Sequence, residues 1–431
     1  MANKTQELEQ QRTAFIAQFD AGQGIAAVED QKAIAAAALK DLQIPTRKWE
    51  EWKYTDLRAL VKKEFSPAQE SPFTNIQPYL IPGLESDVLV FINGRYRAEL
   101  SSISHNEESL IINDLRNIAG KGKEAFETYF GKAVSPDHDI FAAINTAYAG
   151  DGVFIGVPTG KSTSKPIQIL HLADNKEQSS TMQHRNMFVV GRNGEAKVVE
   201  SYHSLADSPT LRNQVTEIFV DQNAGLEYVK IQLESKEASS IDRTLVHQAR
   251  DSRFSIHTIT LGGKLVRNNL DIKMDGVNIS SELKGLYMLS GTQHVDNHTQ
   301  VDHMKADGYS NELYKGILKD QSTGVFNGRI HVYQDAQKTN AFQSNNNVLL
   351  DDTANIYTKP QLEIYADDVK CSHGATLGSL DEDALFYLQA RGIKKEQARQ
   401  MLVHSFVMEV ADDISMEPVK DFIEEKIENR F

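Results

Sequence analysis

The stretch that decides the fold runs from residue 186 to residue 233, NMFVVGRNGEAKVVESYHSLADSPTLRNQVTEIFVDQNAGLEYVKIQL. Four short apolar or alternating runs stand out in it: NMFVV, AKVVES, TEIFV and LEYVKIQL. Turn residues at Asn193-Gly194 and around Asn223-Ala224-Gly225 punctuate them. Period-two alternation with β-branched and aromatic residues predicts strands. The same texture continues outward through VFIGV (153–157), PIQIL (166–170), FSIHTITL (254–261), LDIKM (270–274), VNISSEL (277–283) and GLYML (285–289). Helical period is almost absent from about Asp151 to residue 370. Many short strands at close spacing predict an all-β sandwich, barrel or solenoid. No sharp repeat motif selects among these. The Asn-Gly and Asp-Gly pairs, Asn193-Gly194 and Asp275-Gly276, favour hairpins, which counts against a solenoid.

Helical segments flank this core. QELEQQRTAFIAQF (6–19) carries Leu8, Phe15, Ile16 and Phe19 among polar residues, and EDQKAIAAAALKDLQI (29–44) is rich in strong helix formers closed by Pro45. KWEEWKYTDL (48–57) puts Trp49 and Trp52 three apart, the spacing of one helical face. It reads as a docking element within the chain. SDVLVFINGRYRAEL (86–100) reads as a hairpin about Asn93-Gly94. At the other end, Ser379 and Glu382 have capping-box spacing, Gly392 is a stop, and Ala398, Leu402, Phe406 and Val410 form a stripe flanked by Met401 and Val403. The expected division is a helical and mixed region 1–135, a β-rich core 136–375 and a helical region 376–431.

Composition narrows the function. With 431 residues, 40% of them hydrophobic, the chain can bury a sizeable core. No apolar run is long enough for a transmembrane helix, and the polar start lacks the apolar segment of a secretory signal, so a cytoplasmic protein is expected. A formal net charge of -14 argues against nucleic acid and against anionic membranes. The single cysteine excludes an internal disulfide, a multi-cysteine zinc site and a four-cysteine iron–sulfur cluster on this chain alone.

Three motifs carry candidate chemistry. GVPTGKST (156–163) resembles a phosphate loop but has one residue too few before its Gly-Lys pair, and a β-like run follows where a helix is required. No nucleotide is expected on this chain. HVDNHTQVDH (294–303) would place His294, Asp296, His298 and Asp302 on one face of a strand. Such a row splays its donors, so a polar sheet face competes with a metal site. Asp296, Asp302 and His303 would be the acid–base groups of a rival reading, a β-helical carbohydrate-active enzyme. Cys371 and His373 are one residue apart, so in an extended segment both face the same way. Thiolate and imidazole suit iron or zinc, and an imidazole can lower a thiol pKa. A packed cysteine and a turn-capping histidine are the bland alternatives.

KPQLEIYADDVKCSHGATLGSLDEDALFYLQARGI (359–393) closely resembles the C-terminal core signature of the SufB/SufD family of iron–sulfur cluster assembly proteins. FNGRIHVYQDAQKTNAFQSNNNVLL (326–350), IPTRKWEEWKYTDL (44–57), DIFAAINTAYAGDGVFIGVP (139–158) and HVDNHTQVDH resemble the same family. The tryptophan-bearing segment and the lone cysteine in CSHGAT resemble its SufD branch more than its SufB branch. The resemblance implies a right-handed parallel β-helix flanked by N-terminal and C-terminal helical domains. It implies a non-enzymatic scaffold subunit that pairs with SufB and, through its C-terminal helices, with the ATPase SufC. A homodimer would stand in when the chain is made alone. His373 then aligns with a family histidine at the junction with SufB, where it would hold iron or a nascent cluster, with Cys371 a secondary ligand or a packing residue. The cluster would be transient and shared with the partner. No flavin motif is legible.

Overall fold

Asn193, Asn223, Asp251, Asn278, Asp307 and Lys338 all adopt left-handed backbone, with φ between 55° and 60°. In this computed structural model, which describes residues 2–20, 25, 28–106, 108–118, 120–175 and 178–430, they are the stacked corners of a parallel β-solenoid. Each corner N–H donates to a carbonyl of the next coil: Asn193 to Gln222 (3.0 Å), Asn223 to Arg250 (3.0 Å), Asp251 to Val277 (3.0 Å), Asn278 to Ala306 (3.2 Å) and Asp307 to Gln337 (2.9 Å). Side chains extend the ladder, Asn223 Nδ2 donating to Asn193 Oδ1 at 2.9 Å. The preference for hairpins is therefore overturned at Asn193 and Asn223. A short polar side chain that tolerates positive φ serves a coil corner as well as a type I′ turn. Asn93-Gly94 alone among the pairs named makes the expected hairpin, its antiparallel strands meeting at Phe91–Tyr96 and Ile92–Arg95.

Each coil contributes one strand to each of two ten-stranded sheets. The pairing is parallel apart from the end strands Arg95–Tyr96 and Ile111–Asp114. Parallel register stacks equivalent side chains into columns through the solenoid. Phe188, Ile218, Val246, Ile272, Val301 and Ile330 form one such column. Val198, Tyr228, Ile256 and Leu283 form another in the second sheet. All ten belong to one core cluster, each at most 2% exposed. Removing each such side chain from water stabilises the fold by about 1.5–3 kcal/mol.

Helices cover the outer faces. Phe15, Phe19, Trp52, Leu57 and Phe141 pack on Leu211 and Ile241 of the first sheet; the side chain of Leu8 lies outside the described residues. The helix Ile140–Tyr148 is capped by Asp139, which accepts from the N–H groups of Phe141 and Ala142. On the second sheet, Val199, Ile231, Ile259, Met288 and Ile317 are covered by Val403, Val407, Phe422 and Ile423 of the C-terminal helices and by Val410 of the turn between them.

Three local expectations shift. The tryptophans do not share a face, because Glu50–Trp52 is a single 3-10 turn: Trp52 is buried and Trp49 is exposed. The buried stripe of Lys395–Met408 runs through Ala398, Val403 and Val407, leaving Leu402 and Phe406 half-buried and Met401 exposed. The helix Glu382–Ala390 is capped by Asp381, not Ser379, since the Asp381 carboxylate accepts from Asp383 and Ala384 N–H at 2.9 and 3.0 Å. Gly392 ends that region at φ 86°. Among the described residues no helix is long and apolar enough to cross a membrane.

Candidate functional site

The solenoid ends on an uncovered rung. Among the described residues, Asn355–Ile364 pairs only with Thr323–Val332, and Lys370–Gly378 only with Asn340–Leu349. Each terminal strand thus carries one edge of backbone groups unpaired within the sheets, a template for another chain. Apolar side chains are displayed beside these edges: Leu377 is 60% exposed, Tyr365 63% and Ile364 40%.

Cys371 and His373 both lie on the terminal strand Lys370–Gly378. Cys371 is in register with Ala341, and His373 with Gln343. Ala341 and Gln343 are buried inside the solenoid, so Cys371 and His373 continue two interior columns onto the open end. The shared face read from their spacing is what the strand delivers. Their surroundings differ. Cys371 is half-buried against the apolar core, and burial pushes its thiol pKa up. The imidazole beside it does not reverse that, contrary to the lowering its sequence position allowed. His373 is exposed.

The column behind His373 changes character along the solenoid. It reads Ile167, Val198, Tyr228, Ile256 and Leu283, then Glu312, Gln343 and His373. Gln343 Nε2 donates to Glu312 Oε2 at 2.7 Å, and both residues are about 1% exposed. Burial raises the Glu312 carboxyl pKa to about 7. Gly328 of the facing sheet makes room for this amide: a Cβ there would come within 2.3 Å of Gln343 Nε2. Sequence reading missed Glu312 and Gln343. Their signal is recurrence one coil apart, legible only once the coil register is known.

HVDNHTQVDH forms the strand His294–His303. Asp296 is its focus. It accepts from Arg267 Nη1 at 2.6 Å, lies 2.9 Å from His298 Nε2 and also bonds the Thr55 hydroxyl. Burial pushes its carboxyl up, but Arg267 and His298 outweigh this and hold it well below the usual carboxylate range. Arg267 also reaches Glu51 O at 2.7 Å and lies over the Trp52 ring at 4.1 Å. This strand therefore clamps the tryptophan segment to the sheet, the polar-face reading. Asp296 is buried and ion-paired, and His303 is buried against Ser310, so neither is presented to a saccharide. The residues after Gly156 turn directly into the strand Ile167–Ala173, without the helix a phosphate loop needs.

Fold and site together define a class: a parallel β-solenoid that displays a thiol and an imidazole on its uncovered last rung. Residues 171–406 match the model described as SUF system FeS cluster assembly, SufBD core domain, and residues 5–169 match the SufBD protein N-terminal region. The chain is 32% identical over 390 residues to the iron–sulfur cluster assembly protein SufD of Escherichia coli, covering 90% of this chain and 89% of the relative. It is 32% identical over 392 residues to an iron–sulfur cluster assembly SufBD family protein of Synechocystis, covering 89% and 86%. It is 26% identical over 331 residues to the Bacillus subtilis SufD protein, covering 75% and 74%. The chain belongs to the SufB/SufD family of SUF-system iron–sulfur cluster assembly proteins.

Proposed function

We propose that this chain acts as the SufD-type subunit of a cytoplasmic assembly complex, docking its last solenoid rung on SufB and its C-terminal helices on the ATPase SufC. It is a scaffold rather than a catalyst, and iron or a nascent cluster is its cargo. His373 supplies an imidazole to that cargo at the junction. Cys371 is a secondary ligand, because its half-buried thiol must lose a proton to bind metal and burial opposes that loss.

The observation that carries this reading is the pairing of an unpaired strand edge with an exposed imidazole on the same terminal strand. Among the described residues no third His, Cys, Asp or Glu joins Cys371 and His373 in a three-ligand set. Two donors do not hold a cluster, so the remaining ligands come from another chain. The test is co-expression with SufB and SufC, comparing wild type with His373→Ala by anaerobic absorption spectroscopy of the purified complex. Loss of the cluster chromophore with the complex intact supports ligation. An unchanged chromophore in an intact complex assigns the chain a purely bracing role.

A further inference from the structure

The helices Lys395–Met408 and Glu417–Glu428 bring three metal-binding groups together away from the solenoid rung. His404 Nε2 lies 2.9 Å from Glu424 Oε1. Glu428 stands one turn beyond Glu424, and one donor atom from each of His404, Glu424 and Glu428 lies within 4.8 Å of the others. An open groove of about 760 Å³ borders the cluster, lined also by Gln397, Gln400 and Met401.

His404 pairs with Glu424, yet the cluster sets two carboxylates side by side. Two carboxylates one helical turn apart repel each other. They also sit in the last turns of their helix, where the macrodipole disfavours anions. The nearby lysines are engaged elsewhere. Lys426 Nζ bonds Glu425 at 3.0 Å and lies over the Phe422 ring at 4.7 Å, and Lys420 pairs with Asp412 at 3.5 Å. His404 is the imidazole that shares the cluster with both carboxylates. A cation held by all three groups would remove the repulsion and oppose the dipole.

We propose that His404, Glu424 and Glu428 form a binding site for a divalent first-row transition metal ion. One imidazole nitrogen and two carboxylates suit Zn²⁺, Mn²⁺, Fe²⁺ or Co²⁺. They suit Ca²⁺ and Mg²⁺ poorly, because those ions prefer all-oxygen shells. The groove admits water or Gln400 to the remaining positions. The ligands come from both helices, so occupancy ties the helix pair together and raises its stability by mass action. The site stands independently of the role assigned to His373.

Cobalt(II) titrated into the full-length chain, followed by visible absorption and by calorimetry, tests the site. The expected result is uptake of one ion with weak d–d bands and no thiolate charge-transfer band. Glu428→Gln, which alters an exposed side chain at a helix end, weakens binding by about tenfold or more, as does Glu424→Gln. Cys371→Ala and His373→Ala leave that uptake unchanged. The proposal is overturned if both glutamine variants bind cobalt as wild type does. It is equally overturned if the bound cobalt shows a thiolate band that Cys371→Ala abolishes, which would place the ion on the solenoid rung.

Discussion

Gln343 is bonded to Glu312 on one side and stands in register with His373 on the other. The buried carboxyl, the amide and the exposed imidazole therefore occupy successive rungs of a single interior column. Glu312 is wholly buried, with its pKa raised to about 7 against an ordinary 4.5. A raised carboxyl pKa means the folded chain holds a proton that the unfolded chain releases. Its contribution to stability is fully present below pH 4.5 and is lost as the pH rises toward 7. The loss is on the order of 3 kcal/mol. Glu312→Gln keeps the acceptor for Gln343 and removes the ionisation. Thermal unfolding of the isolated chain is expected to show a raised midpoint for the variant at pH 8 and little difference at pH 4. A midpoint difference that does not grow from pH 4 to pH 8 refutes the assignment.

Buried histidines impose the opposite trend. Burial lowers His303 and His257 to about 4, below the ordinary 6.5. A lowered histidine pKa favours the neutral ring in the folded state. The stability it contributes is present above pH 6.5 and lost as the pH falls through 4. His303 bonds the Ser310 hydroxyl, and its lowering comes from burial. His303→Gln is therefore expected to flatten the acid limb of the stability curve between pH 6.5 and 4. Chemical denaturation at a series of pH values reads this directly. An acid limb as steep as that of wild type would show that other groups set it.

The sequence made the β-rich core legible because alternation survives in each strand, but it did not choose the solenoid. Asn193 and Asn223 carry the same local signal whether they reverse the chain into a hairpin or turn it into the next coil. What decides is the hydrogen bond from each corner to the coil after it, and that is not local. Family resemblance supplied the architecture that periodicity left open. The same limit hid Glu312 and Gln343. Read alone, each is a polar residue in an alternating strand; read by coil register, they continue the column that ends on His373. Cys371 and His373 were visible because their relation is local to one strand. Trp49 and Trp52 show the converse failure, since a helical face was inferred where one short turn buries only the second ring.

The clamp around Asp296 predicts a large, asymmetric mutational response. Arg267 and Asp296 are each at most 1% exposed, and the Arg267 guanidinium also spans Trp52 and the Glu51 carbonyl. Arg267→Met leaves a buried carboxylate without its main counter-charge and is expected to cost about 3–5 kcal/mol. Trp52→Ala removes a buried ring packed on Phe141 and is expected to cost about 3 kcal/mol or more. Trp49→Ala alters an exposed ring and is expected to stay within about 0.5 kcal/mol of wild type. Urea unfolding of the three variants separates these values. Equal losses at Trp49 and Trp52 would return both rings to one packed face.

The terminal rung predicts a substitution that spares the fold and breaks the assembly. Leu377 is 60% exposed on the last strand, and its register partner Asn347 belongs to the covered rung behind it. In the isolated chain Leu377→Lys exchanges one exposed side chain for another, so its unfolding midpoint is expected to stay close to wild type. A lysine on a strand edge also blocks edge-to-edge pairing, because burying its ammonium against a partner strand leaves an unpaired charge. Co-purification with SufB is therefore expected to fall sharply while the chain remains folded. His373→Ala makes the contrasting case: it removes a donor without adding a charge, and the complex is expected to survive while its cluster does not. If Leu377→Lys still assembles with SufB as wild type does, the partner docks elsewhere. The exposed edge would then need another occupant, and a second copy of this chain is the first to test, by sedimentation of the isolated protein with and without the substitution.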